Sequence, residues 1–528
     1  MLFDSLKRKN VQNHWALPAL VIIFLFVLLR TAWLCDDAYI TLRVVDNFIS
    51  GYGPVWNISE RVQVYTHPLW FLLLSSFVYF TGELYYTVLF LSVIITTTAY
   101  LIVIVKITPS TRAGIFGGVL LLLSHSFIDY ATSGLENPLT FLLLALFFLL
   151  YFNQNFGKTQ SFRLFAMALL SALGMLNRLD LALIFIPPLL YSLLKVRRTQ
   201  TIIPAMIGFL PLAAWFLFSI FYYGFPFPNT AYAKLSTTFS TIELTATGLY
   251  YFIETFVFDP VTIVLVTLLI WTTVQKYSIN EKRLLQAGLI GISLYALYLI
   301  RIGGDFMVGR MLTPIIFTGT ILVIRFQYKK IQKFWLLLTG IALATSLFAT
   351  PLTILSDENY KVKISALDCV NLSKSLAGDE RCFYYRTTGL WRKWVGGQPA
   401  VNAVPWKDMG NDLKQSDKQV NVTETIGIKG FFAGPEIHIV DQLALADAFL
   451  ARLPPDPTQP KRVGHIRRVI PAGYIETLET GANKIENPDL ALYYEKLALV
   501  IRGDLYEKQR WIEIWNLNSG KYNHLLQE

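Results

Sequence analysis

The chain has 528 residues, of which 54% are hydrophobic and only 16% are charged, with a formal net charge of +10. A water-soluble domain of this size does not need so much apolar surface, so the composition excludes a soluble globular enzyme. The lysines and arginines concentrate in alternate short loops, as in 195–198 and 325–333, which is typical of the cytoplasmic side of a membrane protein. The positive charge therefore indicates membrane topology and argues against a nucleic-acid partner.

Apolar runs of about 20 residues, the length that crosses a bilayer, recur from Trp15 to about Thr350. We expect the first run to be an uncleaved anchor with its amino terminus in the cytoplasm. A shorter run at 67–82 is expected to dip into the outer leaflet, because a second crossing there would place Lys106 and Arg112 outside. The runs predict eleven transmembrane helices, at 15–34, 85–107, 113–130, 136–153, 161–178, 180–195, 202–223, 255–274, 283–302, 307–325 and 333–352.

The composition changes after Ser356, where charges, prolines and glycines reach the frequencies of soluble domains. Roughly 170 residues are enough for one independent core, and an odd number of crossings places this part outside the membrane. We therefore predict a transmembrane catalytic domain at 1–356, with its first outer loop at 35–66, and an extracytoplasmic α/β domain at 357–528. Within the outer domain, the pattern predicts strands at 420–425 and 437–440 and a helix at 443–452.

The sequence lacks the motifs of nucleotide and zinc chemistry. It has no Walker loop, no GxSxG and no Cys/His spacing suited to zinc, and Gly303-Gly304 is too short to cradle a nucleotide. Cys369 and Cys382 are close enough in sequence to pair, and a disulfide and two free thiols stay equally open. These features disfavour an enzyme that uses soluble nucleotides.

Four polar clusters fall on the predicted outer side of the membrane. Each has a plain structural explanation. An acidic pair at a helix end can simply be solvated, and Glu136 can cap a helix. The aromatic segment can be an ordinary loop at the membrane interface, and Asp305 with Arg310 can form an ion pair. The clusters are Asp36 and Asp37 with Arg43, Arg61 and His67; the 132–138 segment with Glu136; the aromatic 222–234 segment with Asn229, Tyr232 and Lys234; and Arg301, Asp305 and Arg310.

Together the clusters fit one reaction. A carboxylate can act as general base on a sugar hydroxyl, and arginine or lysine can bind a phosphate and offset the charge it gains as it leaves. The combination fits glycosyl transfer from a lipid-linked sugar phosphate. One alternative is a transporter or flippase of lipid-linked sugars, which usually places its charges near the bilayer midplane in matched halves. Another is an envelope scaffold, which would leave the acids unexplained.

The ordered set of motifs resembles the GT-C superfamily of polyprenyl-phosphate-sugar glycosyltransferases, most closely its branch of AftB-type terminal arabinofuranosyltransferases. Each motif is weak alone, but together they cover nearly the whole chain in the same order. They are 36–43 (DDAYITLR), 51–57 (GYGPVWN), Arg61, 65–70 (YTHPLW), 133–136 (SGLE), 228–230 (PNT), Lys234, 303–307 (GGDFM), Arg310, 441–447 (DQLALAD), Arg452 and 464–468 (GHIRR).

The resemblance implies a GT-C fold and an inverting transferase of the bacterial inner (plasma) membrane that uses decaprenyl-phosphoryl-arabinofuranose or a related polyprenyl donor. The acceptor would be an envelope glycan, a lipopolysaccharide or a glycoprotein, positioned by the outer domain. A divalent cation stays open, since some GT-C members need one and monophosphate-donor members often do not. The resemblance maps the general base onto Asp36 or Asp37. Placement near the outer leaflet, where the donor head group must lie, predicts the residues that bind the donor phosphate: Arg310, Arg301, Lys234, His67 and Arg61. The predicted supporting residues are Glu136, Asp305, Asn229 and Tyr232.

Overall fold

The computed structural model describes residues 15–153, 160–196, 202–235, 239–331, 340–341, 344, 377–397, 405–459 and 463–526. The chain forms two compact units, each assembled from three separate segments. The first unit comprises Met1–Cys35, Val88–Pro211 and Thr241–Ala400, and the second comprises Asp36–Thr87, Leu212–Ser240 and Val401–Glu528. The predicted domain boundary at 356/357 lies outside the described residues and stays a prediction. Cys369 also lies outside them, so its pairing with Cys382 stays open.

The described structure is mostly helical. The first sixteen helices are α1 Ala16–Thr31, α2 Asp36–Ile49, α3 Pro68–Thr81, α4 Tyr85–Leu101, α5 Thr111–Leu123, α6 His125–Tyr130, α7 Asn137–Phe152, α8 Gln160–Asn177, α9 Ala182–Val196, α10 Ile202–Gly208, α11 Leu210–Tyr223, α12 Asn229–Leu235, α13 Thr241–Phe258, α14 Val261–Val274, α15 Ile279–Arg301 and α16 Thr313–Ile331. The remaining elements are α17 Glu380–Thr388, α18 Leu390–Gly396, α19 Pro405–Gln415, β1 Val420–Thr423, α20 Ile428–Ala433, β2 His438–Asp441, α21 Tyr474–Thr480, α22 Pro488–Arg502 and α23 Lys508–Asn518.

Several helices are suited to a bilayer by length and composition. Among the described residues, Tyr85–Ile107, Leu179–Val196 and Ile279–Arg301 are long and apolar enough to cross a membrane, and the number reaches six if each of three bent helix pairs is one span. The count of eleven stays a prediction, because its last span at 333–352 lies almost entirely outside the described residues. The short run at 67–82 forms α3, whose 14 residues are about 21 Å long and fall short of the hydrocarbon thickness.

Each of the other ten predicted spans contains a described helix, but four differ from one continuous helix. The run at 113–130 is divided at Ser124 into α5 and α6, and the run at 202–223 bends by 42° at Phe209 between α10 and α11. The run at 255–274 is not one helix, because α13 and α14 meet at 109° on either side of Asp259-Pro260. Proline has no N–H to continue the helix and clashes with the preceding turn. The run at 307–325 begins irregularly: Gly309 has a φ of 77°, and a Cβ there would lie 2.3 Å from Ser126 Oγ. The helix α16 therefore starts only at Thr313.

Both predicted strands are confirmed, and they lie in the second unit. β1 and β2 pair in parallel, with Val420 opposite His438, and the intervening chain contains α20. The helix predicted at 443–452 is wrong. Asp441 accepts hydrogen bonds from the backbone N–H groups of Leu443 (2.9 Å), Leu445 (2.6 Å) and Ala446 (3.0 Å), and these contacts hold a compact turn in place of the first helical turn.

The first outer loop and the strand region share the core of the second unit. The guanidinium of Arg43 is 2% exposed, lies 4.3 Å from the centre of the Trp56 ring and donates to the Ile437 carbonyl at 3.0 Å. Asn57 donates to the Ile439 carbonyl at 3.1 Å and accepts from the Ile439 N–H at 3.1 Å. These buried contacts anchor the loop that carries the acidic pair to β2.

Candidate active site

The acidic pair opens α2. Asp36 accepts a hydrogen bond from the backbone N–H of Ile428 at 2.7 Å, and the backbone of Gly427 lies so close that a Cβ there would be 2.5 Å from the Asp36 carboxylate. Burial raises the pKa of Asp36 to about 7; the Ile428 N–H opposes this rise, and the neighbouring charge of Asp37 adds to it. Both aspartates remain partly exposed. The first outer loop therefore offers one carboxylate fixed to α20 and a second directly beside it.

The two cationic candidates near the acidic pair in sequence bind different parts of the second unit. His67 is buried and contacts Thr41 Oγ1 through Nε2 at 2.8 Å, so it joins the start of α3 to α2. The N–H of Arg61 donates to the Ile501 carbonyl at 2.8 Å, and its guanidinium donates to the carbonyl of Gly503. Lys234 lies exposed on α12.

Asn229 stabilises the turn that replaces the helix predicted at 443–452. Its side-chain nitrogen donates to the carbonyls of Ala444 (3.0 Å), Leu445 (3.1 Å) and Asp447 (3.0 Å). Ala444 has a φ of 62°, the left-handed region that an alanine rarely adopts. Such strain persists where surrounding contacts compensate for it, and the three hydrogen bonds from Asn229 provide that compensation.

Arg452 completes this turn and was not among the predicted site residues. Its Nη1 donates to Asn229 Oδ1 at 3.1 Å and to the Ala448 carbonyl at 2.6 Å. The guanidinium lies 4.2 Å from the Phe225 ring centre and 4.7 Å from that of Tyr232. The sequence signal for Arg452 was its position eleven residues after Asp441, within the ordered set of motifs. Its aromatic partners cannot be read from the sequence.

The carboxylate of Asp447 should make stability depend on pH. Burial, with the nearby charge of Glu60, raises its pKa to about 7, although the N–H of Leu450 and the hydroxyl of Tyr474 donate to it. Between its unfolded pKa near 4 and about 7, the folded state binds more protons than the unfolded state, so this group lowers stability as pH rises. Asp447→Asn should remove up to about 1.4 kcal/mol per pH unit of that slope.

The measurement is the melting temperature of both proteins from pH 5 to pH 7.5, with exposed Asp417→Asn as the control. We expect the wild-type and control curves to fall together with rising pH and the Asp447→Asn curve to be flatter. Parallel curves for all three proteins would contradict the assignment.

In the first unit, Glu136 is the centre of a buried ion-pair network. Its side chain makes no capping hydrogen bond to α7, so the capping explanation is wrong. Its carboxylate, 1% exposed, instead lies 3.3 Å from Arg310 Nη2 and 3.5 Å from Arg178 Nη1. Asp305 lies 3.7 Å from Arg310, and Asp180 binds Arg178 at 2.5 and 3.1 Å. Thus the structure joins two predicted supporting acids to Arg310.

Arg178 and Asp180 were missed by the sequence analysis. Arg178 ends the predicted span 161–178 and Asp180 begins the next at 180–195, and charged residues within such apolar sequence indicate a functional site. Their pairing is tighter than that of Arg310, whose 3.3–3.7 Å distances exceed the 2.7–2.9 Å typical of charge-assisted bonds. Arg301, by contrast, is exposed at the end of α15, and no described contact joins it to the network.

No three His, Cys, Asp or Glu side chains in the described ranges are arranged to hold a metal ion. The carboxylates of the first-unit network are occupied by guanidinium groups, and Asp36 accepts from a backbone N–H.

Comparison with solved structures defines the class of fold. ArnT from Cupriavidus metallidurans, solved bound to undecaprenyl phosphate, has a TM-score of 0.51 over 83% of this chain and 87% of that chain, at 11% identity. At this identity the likeness shows the fold alone, a helical fold that this chain shares with ArnT over most of both chains. No family model matches the sequence.

Comparison with curated sequences confirms the more specific resemblance. A terminal beta-(1->2)-arabinofuranosyltransferase of Corynebacterium glutamicum is 29% identical over 356 residues, which are 60% of this chain and 51% of that protein. The enzyme of the same name from Mycobacterium tuberculosis is 30% identical over 236 residues, or 42% of this chain and 38% of that protein. The matches thus span about half, or less, of the length of these relatives.

Proposed function

We propose that the chain is an inverting glycosyltransferase of the bacterial inner membrane. It would move a sugar, which the resemblance implies is arabinofuranose, from a polyprenyl-phosphate donor to an envelope glycan, lipopolysaccharide or glycoprotein on the outer face. The observation that carries the proposal is the similarity, 29% over 356 residues, to a terminal arabinofuranosyltransferase. The amino terminus would be cytoplasmic, and 357–528 would be extracytoplasmic and position the acceptor.

The proposed chemistry begins at the acidic pair. Asp37 would take the proton of the attacking hydroxyl, whose oxygen forms a bond to the anomeric carbon as the bond from that carbon to the phosphate oxygen breaks. Attack opposite the leaving group inverts the anomeric centre. Asp36 is the alternative base, but its hydrogen bond to the Ile428 N–H favours a positioning role. The polyprenyl phosphate leaves with the bonding electron pair.

The proposed donor site uses cations to bind that phosphate. Arg310 is the leading candidate, because its long contacts with Glu136 and Asp305 can be exchanged for phosphate oxygens while Arg178 stays paired with Asp180. The carboxylates would keep its guanidinium oriented before the donor arrives. The further proposed contributors are Arg301, Lys234, His67 and Arg61, with Asn229 and Tyr232 in support.

The test supplies purified full-length protein with an acceptor and either a polyprenyl-phosphate arabinofuranose or the matching nucleotide sugar. We expect transfer only from the lipid-linked donor, because the chain has no nucleotide-cradling motif and the lipid provides its own anchor. Matched reactions with and without EDTA measure any need for a divalent cation. Transfer from the nucleotide sugar without lipid carrier would overturn the proposal.

A further inference from the structure

A small pocket of the second unit lies just beyond the end of the apolar helix α11. Tyr223 ends that helix, and its hydroxyl donates to the Pro54 carbonyl at 2.8 Å, which ties the helix end to the first outer loop. The pocket thus combines the end of an apolar helix with polar loop residues. The lining residues that matter for its chemistry are Arg61, Tyr223, Phe225, Asn229, Tyr232 and Arg452.

Arg452 presents a rigid guanidinium to this pocket. Its Nη1 is held by Asn229 and the Ala448 carbonyl, and the ring centres of Phe225 and Tyr232, 5.7 Å apart, lie 4.2 and 4.7 Å from the guanidinium carbon. The hydrogen bonds of the Arg452 side chain to described residues are made by Nη1 and leave its Nη2 and Nε available. Because an arginine fixed in this way loses little entropy on binding, its remaining donors are suited to a ligand.

Arg61 adds a second guanidinium with an unused donor. One of its terminal nitrogens donates to the Gly503 carbonyl, whereas its buried Nε has no hydrogen-bond partner among the described residues. A buried donor without a partner is costly, and a ligand that accepts its hydrogen bond would remove that cost. Arg61 and Arg452 therefore both offer N–H groups at the same pocket.

The charge of the pocket selects the kind of ligand. Among the described residues that line it, none is acidic, so its two guanidinium groups are not neutralised by carboxylates within the lining. The first-unit network differs, since three carboxylates there surround two arginines. Planar guanidinium forks match the oxygens of phosphates and carboxylates, so the pocket favours an oxyanion over a neutral sugar.

We propose that Arg452 and Arg61 form an oxyanion-binding site that takes a phosphate or carboxylate group. The inference rests on the proposed glycosyl transfer for the source of that group. One source is the phosphate of a polyprenyl-phosphate donor, for which the adjoining apolar α11 and the exposed Phe227 suit a prenyl chain. The other source is an anionic group on the acceptor glycan.

The experiment measures binding to the full-length protein in detergent, without any sugar transfer. Farnesyl phosphate, farnesol, inorganic phosphate and glucuronate are titrated by calorimetry against wild type, Arg452→Gln, Arg61→Gln and the control Arg467→Gln, a half-exposed arginine of the same unit. We expect wild type to bind an anionic probe but not farnesol. Arg452→Gln should weaken that binding about 10- to 100-fold, Arg61→Gln should weaken it less, and the control should stay within about twofold.

Comparison of the probes identifies the source of the oxyanion. Preference for farnesyl phosphate over inorganic phosphate and glucuronate indicates the lipid donor, and preference for glucuronate indicates the acceptor. Wild-type protein that binds no anionic probe overturns the proposal, as does unchanged binding by both Arg452→Gln and Arg61→Gln at wild-type melting temperature. Because no turnover is measured, failure of the proposed transferase reaction leaves this result intact, and the reverse also holds.

A second measurement avoids variants that fail to fold. In wild-type protein, phenylglyoxal modifies accessible arginines, and mass spectrometry of the digested chain reports each site separately. At a probe concentration well above the dissociation constant most sites are occupied, so we expect modification of Arg452 to slow at least about fivefold. Arg467 should react at the same rate with and without the probe. Equal modification of Arg452 with and without saturating probe would overturn the proposal.

Discussion

Replacing Asp37 by asparagine is expected to lower the rate of sugar transfer about 100- to 10,000-fold, the range typical of a lost general base. Asparagine has the same shape but cannot accept the proton of the attacking hydroxyl. The adjacent Asp36 accepts from the Ile428 N–H, and an asparagine at 36 could still accept that bond, so Asp36→Asn tests the charge of Asp36 with little change in packing. The measurement is turnover with a saturating polyprenyl-phosphate donor.

The control for this comparison is Asp417→Asn, an exposed carboxylate of the same unit, which should keep full activity. Equal melting temperatures for the variants and wild type would show that activity was lost without unfolding. If Asp37→Asn and Asp36→Asn both retain near wild-type turnover, the acidic pair does not supply the base.

Replacing Glu136 by glutamine should destabilise the protein by about 3 kcal/mol, the lower end of the cost of breaking a buried ion pair from one side. Glu136 is 1% exposed and faces two guanidinium groups, so loss of its charge leaves buried positive charge less compensated. Asp180 and Asp305 remain to offset part of it, which is why we expect the lower end. Thermal unfolding in detergent measures the effect.

The same variant should also raise the KM for donor more than it lowers kcat, because Arg310 loses its orienting partner before the donor binds. Glu136→Asp retains the charge and should recover part of the melting temperature. The control is Glu495→Gln, whose side chain is 65% exposed and should be neutral. If Glu136→Gln leaves both the melting temperature and the donor KM unchanged, Glu136 neither stabilises the protein nor orients Arg310 for the donor.

The local pattern of the sequence was enough to predict most of the secondary structure. Ten of the predicted apolar spans contain helices. A helix satisfies its backbone hydrogen bonds within the segment, so the residues of that segment determine whether it is helical. The parallel strands β1 and β2 were also evident from their apolar residues. The helix predicted at 443–452 failed because the side chains of Asp441 and Asp447 compete for the backbone N–H groups.

The candidate site could be predicted only as a set of residue types. The sequence by itself determined the acidic pair, the order of the motifs and the apolar helices, since each depends on neighbours along the chain. Tertiary structure decided the partners: Glu136 meets Arg310 across 174 residues, Arg452 meets Asn229 across 223, and Asp36 meets Ile428 across 392. Such contacts depend on how buried helices and loops pack in three dimensions, and a buried charge or donor takes whichever partner that packing brings within reach.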